Sequence, residues 1–117
     1  MNLSPDLQTA LTSARAHLRF DYPRWLRPLL AKDVVGITLG RRIYLAPRML
    51  ERPPAEIERL VRHELAHVRQ VSRLGLVPFL WKYAAEWIRN RRNGMTGDEA
   101  YRNLSFELEA VAAEEHV

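Results

Sequence analysis

Apolar residues recur at helical spacing along most of the chain and change to a strand-like pattern once. Leu7, Ala10, Leu11, Ala14 and Leu18 share one face of a helix that opens on Ser4-Pro5-Asp6. That opening supplies a cap, a proline suited to the first turn and an acid at the positive end. Pro23 and Pro28 break the next stretch into a connector expected to carry Trp25, Leu26, Leu29 and Leu30 into the core. β-Branched residues then flank Gly40-Arg41, which predicts a hairpin of Val34–Leu39 and Arg42–Ala46. The run "RPPAEIERLVRHELAHVRQVSRLG" opens on prolines and stops at Gly75, with Ile57, Leu60, Val61, Leu65 and Val68 interleaved among charged positions. This predicts a long amphipathic helix. Another helix should begin near Pro78 and fade at Asn93-Gly94, with Phe79, Leu80, Trp81, Tyr83, Trp87 and Ile88 as a core face. "TGDE" has a capping-box pattern, and "SFELEAVAAEEH" predicts a last helix capped by Ser105. The order implies an α+β fold, helix-rich, with a small β-hairpin or sheet beside the long helix.

A chain of 117 residues has room for one modest core, so a single domain over residues 1–117 is expected. It contains no cysteine. Disulfides, thiolate metal sites and a cysteine nucleophile are thereby excluded, and any metal must be held by His, Asp, Glu or water. The first twenty residues lack a basic leader followed by a long apolar run, so a cytoplasmic protein without a signal peptide is expected.

Against that background one motif stands out, "HELAH" at His63 to His67. Residues four apart lie one above the other on a helix, so His63 and His67 can offer imidazole nitrogens to one ion. Glu64 is about 100° round from His63, too far to join them easily, yet able to reach a water bound there. Zinc acidifies such a water, and the carboxylate can take its proton as the water attacks a polarised carbonyl. Chance would place H-E-x-x-H in a chain of this length at roughly a few per thousand. The alternative is a pair of solvated surface histidines. A third ligand is needed, and from composition alone it remains open among His17, His116, Glu86, Asp98, Glu99, Glu107, Glu109, Glu114 and Glu115.

"HELAH" followed some forty residues later by "FELEA" resembles the gluzincin-type zinc metallopeptidases. In their membrane-bound heat-shock and prenyl-protein members the third ligand is the first Glu of an E-x-x-A-D run. The matching residue here is Glu107, with Val111 where those members have Asp. The hairpin "GITLGRRIYL", "HELAHVRQ" and "YRNLSFELEA" are similar to the minimal gluzincins and to small bacterial H-E-x-x-H domains over residues 34 to 113. That resemblance implies a single-domain zincin-like fold, a Zn2+ held by His63, His67 and Glu107, and Glu64 as the general base of peptide-bond hydrolysis. Glu109 is the competing ligand. It lies about 200° from Glu107 on a helix, and Leu104, Leu108 and Val111 mark an apolar face adjacent to Glu107, which favours Glu107.

The partner implied is a peptide or protein substrate. An edge strand of the hairpin could receive it by strand addition, or the hairpin could simply cover the helix. Tyr101 could stabilise an oxyanion, although a core tyrosine is the commoner fate. The net charge of +4 is carried almost wholly by arginine and scattered, apart from "RNRR" at residues 89–92. Nucleic acid is therefore an unlikely partner. The aromatic helix is read first as core, and with Lys82 and that cluster it also suits a peripheral membrane contact. A zinc-stabilised module without turnover is the alternative to the enzyme. Oligomeric state, and whether the acidic tail covers the site, are left open.

Overall fold

The computed structural model describes residues 3–30 and 33–115. Helix α1 (Pro5–Ser13) is capped by Ser4, whose hydroxyl accepts from the Leu7 amide, and it buries Leu7, Ala10 and Leu11. It stops a turn and a half short of the predicted Leu18. Arg15 adopts a left-handed conformation (φ 55°). The Ala16 amide bonds to the Leu11 carbonyl and the Arg15 amide to that of Thr12. This closes the last turn as a Schellman motif, made with arginine in the place glycine usually takes.

The chain then leaves as a strand, β1 (His17–Arg19), that the periodicity did not predict. With β2 (Gly36–Leu39) and β3 (Arg42–Leu45) it forms a three-stranded sheet of order β1-β3-β2. β1 runs parallel to β3, with Leu18 opposite Ile43, and β2 runs antiparallel to β3, with Thr38 opposite Ile43. Gly40 at φ 64° makes the hairpin turn. Leu18 faces the core, as the helical reading also required, but from a strand. The connector before the hairpin buries Leu26, whereas Trp25 and Leu29 are exposed, contrary to expectation. Its polar groups are held locally, by the Arg27–Asp21 ion pair and the Tyr22 hydroxyl donating to the Val34 carbonyl.

Helix α2 (Pro54–Leu74) ends at Gly75, whose φ of 89° turns the chain directly into α3 (Leu76–Arg92). α3 thus begins two residues before Pro78. Its Phe79 is buried and Tyr83 and Trp87 are half-buried, but Leu80, Trp81 and Ile88 point to solvent. The expected core face is split between two sides of the helix. The capping box of α4 (Gly97–Arg102) forms as predicted, Thr96 and Glu99 each bonding the other's backbone amide. α5 (Ser105–Ala112) is followed by a 3-10 turn, Ala113–Glu115. Leu104, not Ser105, occupies the cap position. The Ser105 amide and hydroxyl instead donate to Glu86 of α3 at 2.6 and 2.8 Å, which satisfies the start of the helix from outside.

Leu7 and Leu11 of α1, Ile43 and Leu45 of β3, and Ile57, Val61, Leu65 and Val68 of α2 form one continuous apolar cluster. α2 is the central element, with the sheet and α1 on one side and α5 with the 3-10 turn on the other. This places one face of α2 against the sheet and the next against α5. His63, Glu64 and His67 fall where those two faces meet.

Candidate metal centre

His63 and His67 are one helical turn apart on α2, their ring centroids 5.1 Å apart. The Glu107 carboxylate of α5 lies between them, Oε1 3.1 Å from His63 Nε2 and Oε2 2.9 Å from His67 Nε2. One donor atom from each residue falls within 4.8 Å of the others, so the three can hold a metal ion. The side chains of His63, His67 and Glu107 retain 16, 11 and 5% of their surface.

The opposite ring nitrogens are also engaged. His63 Nδ1 meets Glu114 Oε2 at 2.9 Å, and His67 Nδ1 meets Gln70 Oε1 at 2.8 Å. Gln70 is fully buried and is held by its own amide, which donates to the Phe106 carbonyl and to Glu109 Oε1. With both Nδ1 atoms taken, both Nε2 atoms are aimed at one point. This is the arrangement in which metal-binding imidazoles are fixed in tautomer and orientation by a neighbour on the far nitrogen. It is also the observation that fits a metal to these residues: two nitrogens and a carboxylate oxygen converge, each backed by a second group.

The electrostatics are those of a charged cluster under cover. Burial alone would depress His63, but its bonds to Glu107 and Glu114 outweigh that and lift it to about 9. His67 is depressed by burial and raised by more through Glu107. Burial pushes Glu107 up, and the two imidazoles hold it down to about 2. Glu64 behaves oppositely. Buried at 6% exposure, it accepts from Thr38 Oγ1 at 3.3 Å, and burial raises its pKa. Gly36 of β2 allows this approach, since a Cβ there would lie 3.3 Å from Glu64 Oε1.

Glu109 is turned aside. It accepts from Gln70, lies 3.6 Å from Arg73 and is half exposed. The face expected to be buried is not the buried one, since Leu108 and Val111 are both 53% exposed. α5 buries Phe106, Glu107 and Ala110 instead. Val111, at the position of the missing Asp, therefore faces away from the histidines. Glu114, one turn further on, reaches His63 in its place, and its carbonyl accepts from Arg62 at 3.0 Å.

Two tyrosines complete the surroundings. Tyr101 is 43% exposed rather than in the core, and its hydroxyl faces Glu107. Tyr83, read from sequence only as core, stacks on Phe106 and also presents its hydroxyl to Glu107. Burial, and then the Glu107 charge, raise both phenols. Phe79 closes the ring of aromatics against His67 at 6.5 Å. Tyr83 beside Glu107 and Gln70 behind His67 were the residues sequence reasoning missed, while Glu114, open there as a third ligand, is found behind His63 instead. A polar side chain three positions after His67 was the one available signal for Gln70. His17 lies on β1, away from this cluster, and His116 lies outside the described residues.

Residues 23–75 match the family model described as the eCIS core domain, a domain of extracellular contractile injection systems. The match spans the connector, the hairpin and all of α2 with His63, Glu64 and His67, and it ends before Glu107. No curated protein and no solved structure matches the chain.

Proposed function

We propose that the protein is a zinc-dependent peptide hydrolase of gluzincin type, working as part of, or upon, a multiprotein injection assembly. The observation that carries this reading is the second buried carboxylate. A site built only to hold an ion has no use for Glu64, which is desolvated beside the donor cluster without joining it. His63, His67 and Glu107 hold the zinc. The ion, when bound, supplies Lewis acidity that polarises a carbonyl and lowers the pKa of water. Glu64 accepts a proton from the attacking water and returns it to the leaving amine, and its raised pKa suits both transfers. Tyr101, exposed at the rim, donates to the oxygen that gains charge. β2 has no strand on its outer side among the described residues, and its Thr38 touches Glu64. An extended peptide added to that edge passes the site.

The test is elemental analysis of purified protein, followed by digestion of a peptide mixture with and without a chelator. About one zinc per chain and chelator-sensitive cleavage are expected. Protein that was never exposed to chelator and holds no metal removes the reading. A second reading is favoured by how little of the donor surface is open: a zinc-stabilised module of the assembly with no turnover. A parent that binds zinc and cleaves nothing, alone or with assembly components, selects it.

Glu114 bears on both readings. Removing it should free the His63 ring without removing a ligand. Glu114→Ala is expected to weaken zinc binding by about tenfold to a hundredfold, with Glu114→Gln losing less because it keeps an acceptor. Competition against a chromophoric chelator measures this. A chain cut after Ala113 should behave like Glu114→Ala. Unchanged affinity in all three would show that the 2.9 Å contact does not orient the ring.

A further inference from the structure

α3 has a second face that the metal centre does not use. Phe79, Tyr83, Glu86, Trp87 and Asn90 turn toward the body of the protein. The opposite side carries Val77, Trp81, Ala84, Ala85 and Ile88, at the spacing of a helix stripe. Val77 is 75% exposed and Trp81 76%, and Leu80 lies beside them at the edge. Between Trp81 and Ile88 the two alanines leave a shallow apolar notch of about 360 Å³. Contiguous apolar surface of this kind on a folded domain marks a contact site.

The charges around the stripe say what it contacts. Lys82 and Arg89 lie on one flank, Arg91 on the other, and Arg92 at the C-terminal end. Among the described residues none of these cations is paired with a carboxylate. The one acid of α3, Glu86, is turned inward and bound to Ser105. We propose that this face of α3 lies on an anionic lipid surface, with Val77, Trp81 and Ile88 in the headgroup boundary and the cations at phosphate level. A second copy would set these cations near their own equivalents. Positive charge on both flanks of an apolar stripe matches a surface that is anionic at its plane and apolar beneath it. Long basic side chains can lay their stems along such a surface while their charged heads stay at the phosphates. No described helix is long and apolar enough to cross a membrane, so α3 lies along the surface. The inference does not depend on the hydrolase reading, since the inward side of the same helix faces the metal centre.

Co-sedimentation of the full chain with phosphatidylcholine vesicles containing about a third phosphatidylserine tests this, against pure phosphatidylcholine. Binding to the anionic vesicles only, weakening as salt rises, is expected. Trp81→Ser should lower it by about tenfold by removing the largest inserted group. Arg89→Gln with Arg92→Gln should lower it by about fivefold for each cation. Arg41→Gln with Arg42→Gln removes the same charge from the hairpin and should change little. Circular dichroism confirms that each variant is folded. No binding to anionic vesicles at low salt overturns the proposal, as does an equal loss in the hairpin variant. A Trp81-dependent dimer in the ultracentrifuge would assign the face to a second copy and overturn it. Tighter binding to an acidic amphipathic peptide than to vesicles would assign it to a protein and do the same.

Discussion

Glu64→Gln is expected to keep its zinc and lower peptide hydrolysis by about a hundredfold or more. The two side chains have nearly the same shape, and Thr38 Oγ1 can still donate to an oxygen at that position. Packing against Gly36 is retained as well. What disappears is the capacity to take a proton. Stability should not fall either. Because burial raises the Glu64 pKa, its charged form is disfavoured in the folded state. That group's contribution is therefore full below the unfolded carboxyl value and lost as pH rises through the raised one. A neutral amide escapes that loss, so at neutral pH the metal-free variant should melt no lower than its parent. Zinc content, melting temperature and cleavage of a peptide mixture are measured for both at matched zinc. Equal cleavage would mean that Glu64 is not the base.

Glu107→Ala should lower zinc affinity by an order of magnitude or more, as loss of a direct ligand does, while Glu109→Ala should change it little. The difference follows from where α5 points each carboxylate. Glu107 is 4% exposed and touches both Nε2 atoms, whereas Glu109 reaches only Gln70 and Arg73. In the metal-free protein Glu107→Ala also removes the bond that raises both imidazoles, so their pKa values should fall toward those of buried histidine. Proton NMR of the ring protons follows that change independently of zinc. Equal zinc losses at the two glutamates would reverse the assignment.

The parts of this structure legible in the sequence are those written as local patterns. α2, its stop at Gly75, the hairpin turn at Gly40 and the Thr96–Glu99 capping box all have signals within a few residues. The pairing of His63 with His67 is of the same kind. β1 was hidden because α1 ends on Arg15 in a left-handed conformation, where no glycine or asparagine announces the stop. Leu18 also fits a helical face and a strand face equally well. α3 was misread for a different reason. Its apolar residues go nearly all the way round, and periodicity cannot tell which of two apolar sides meets the core. The groups behind the histidines were invisible because they belong to tertiary structure. Gln70 is fixed by Phe106, and Glu114 meets His63 across 51 positions.

The donor set joins residues 44 positions apart, His63 on α2 and Glu107 on α5. An ion held by both closes a loop that contains the end of α2 and all of α3 and α4. Such a closure acts as a reversible cross-link in a protein that has no cysteine; unlike a disulfide it is absent from the unfolded chain, so it stabilises the fold by its own binding free energy. The apolar cluster that joins α1, β3 and α2 contains no residue of α4 or α5, so it can condense without the ion. Metal supply would then decide less whether the core forms than whether the C-terminal third stays latched to it.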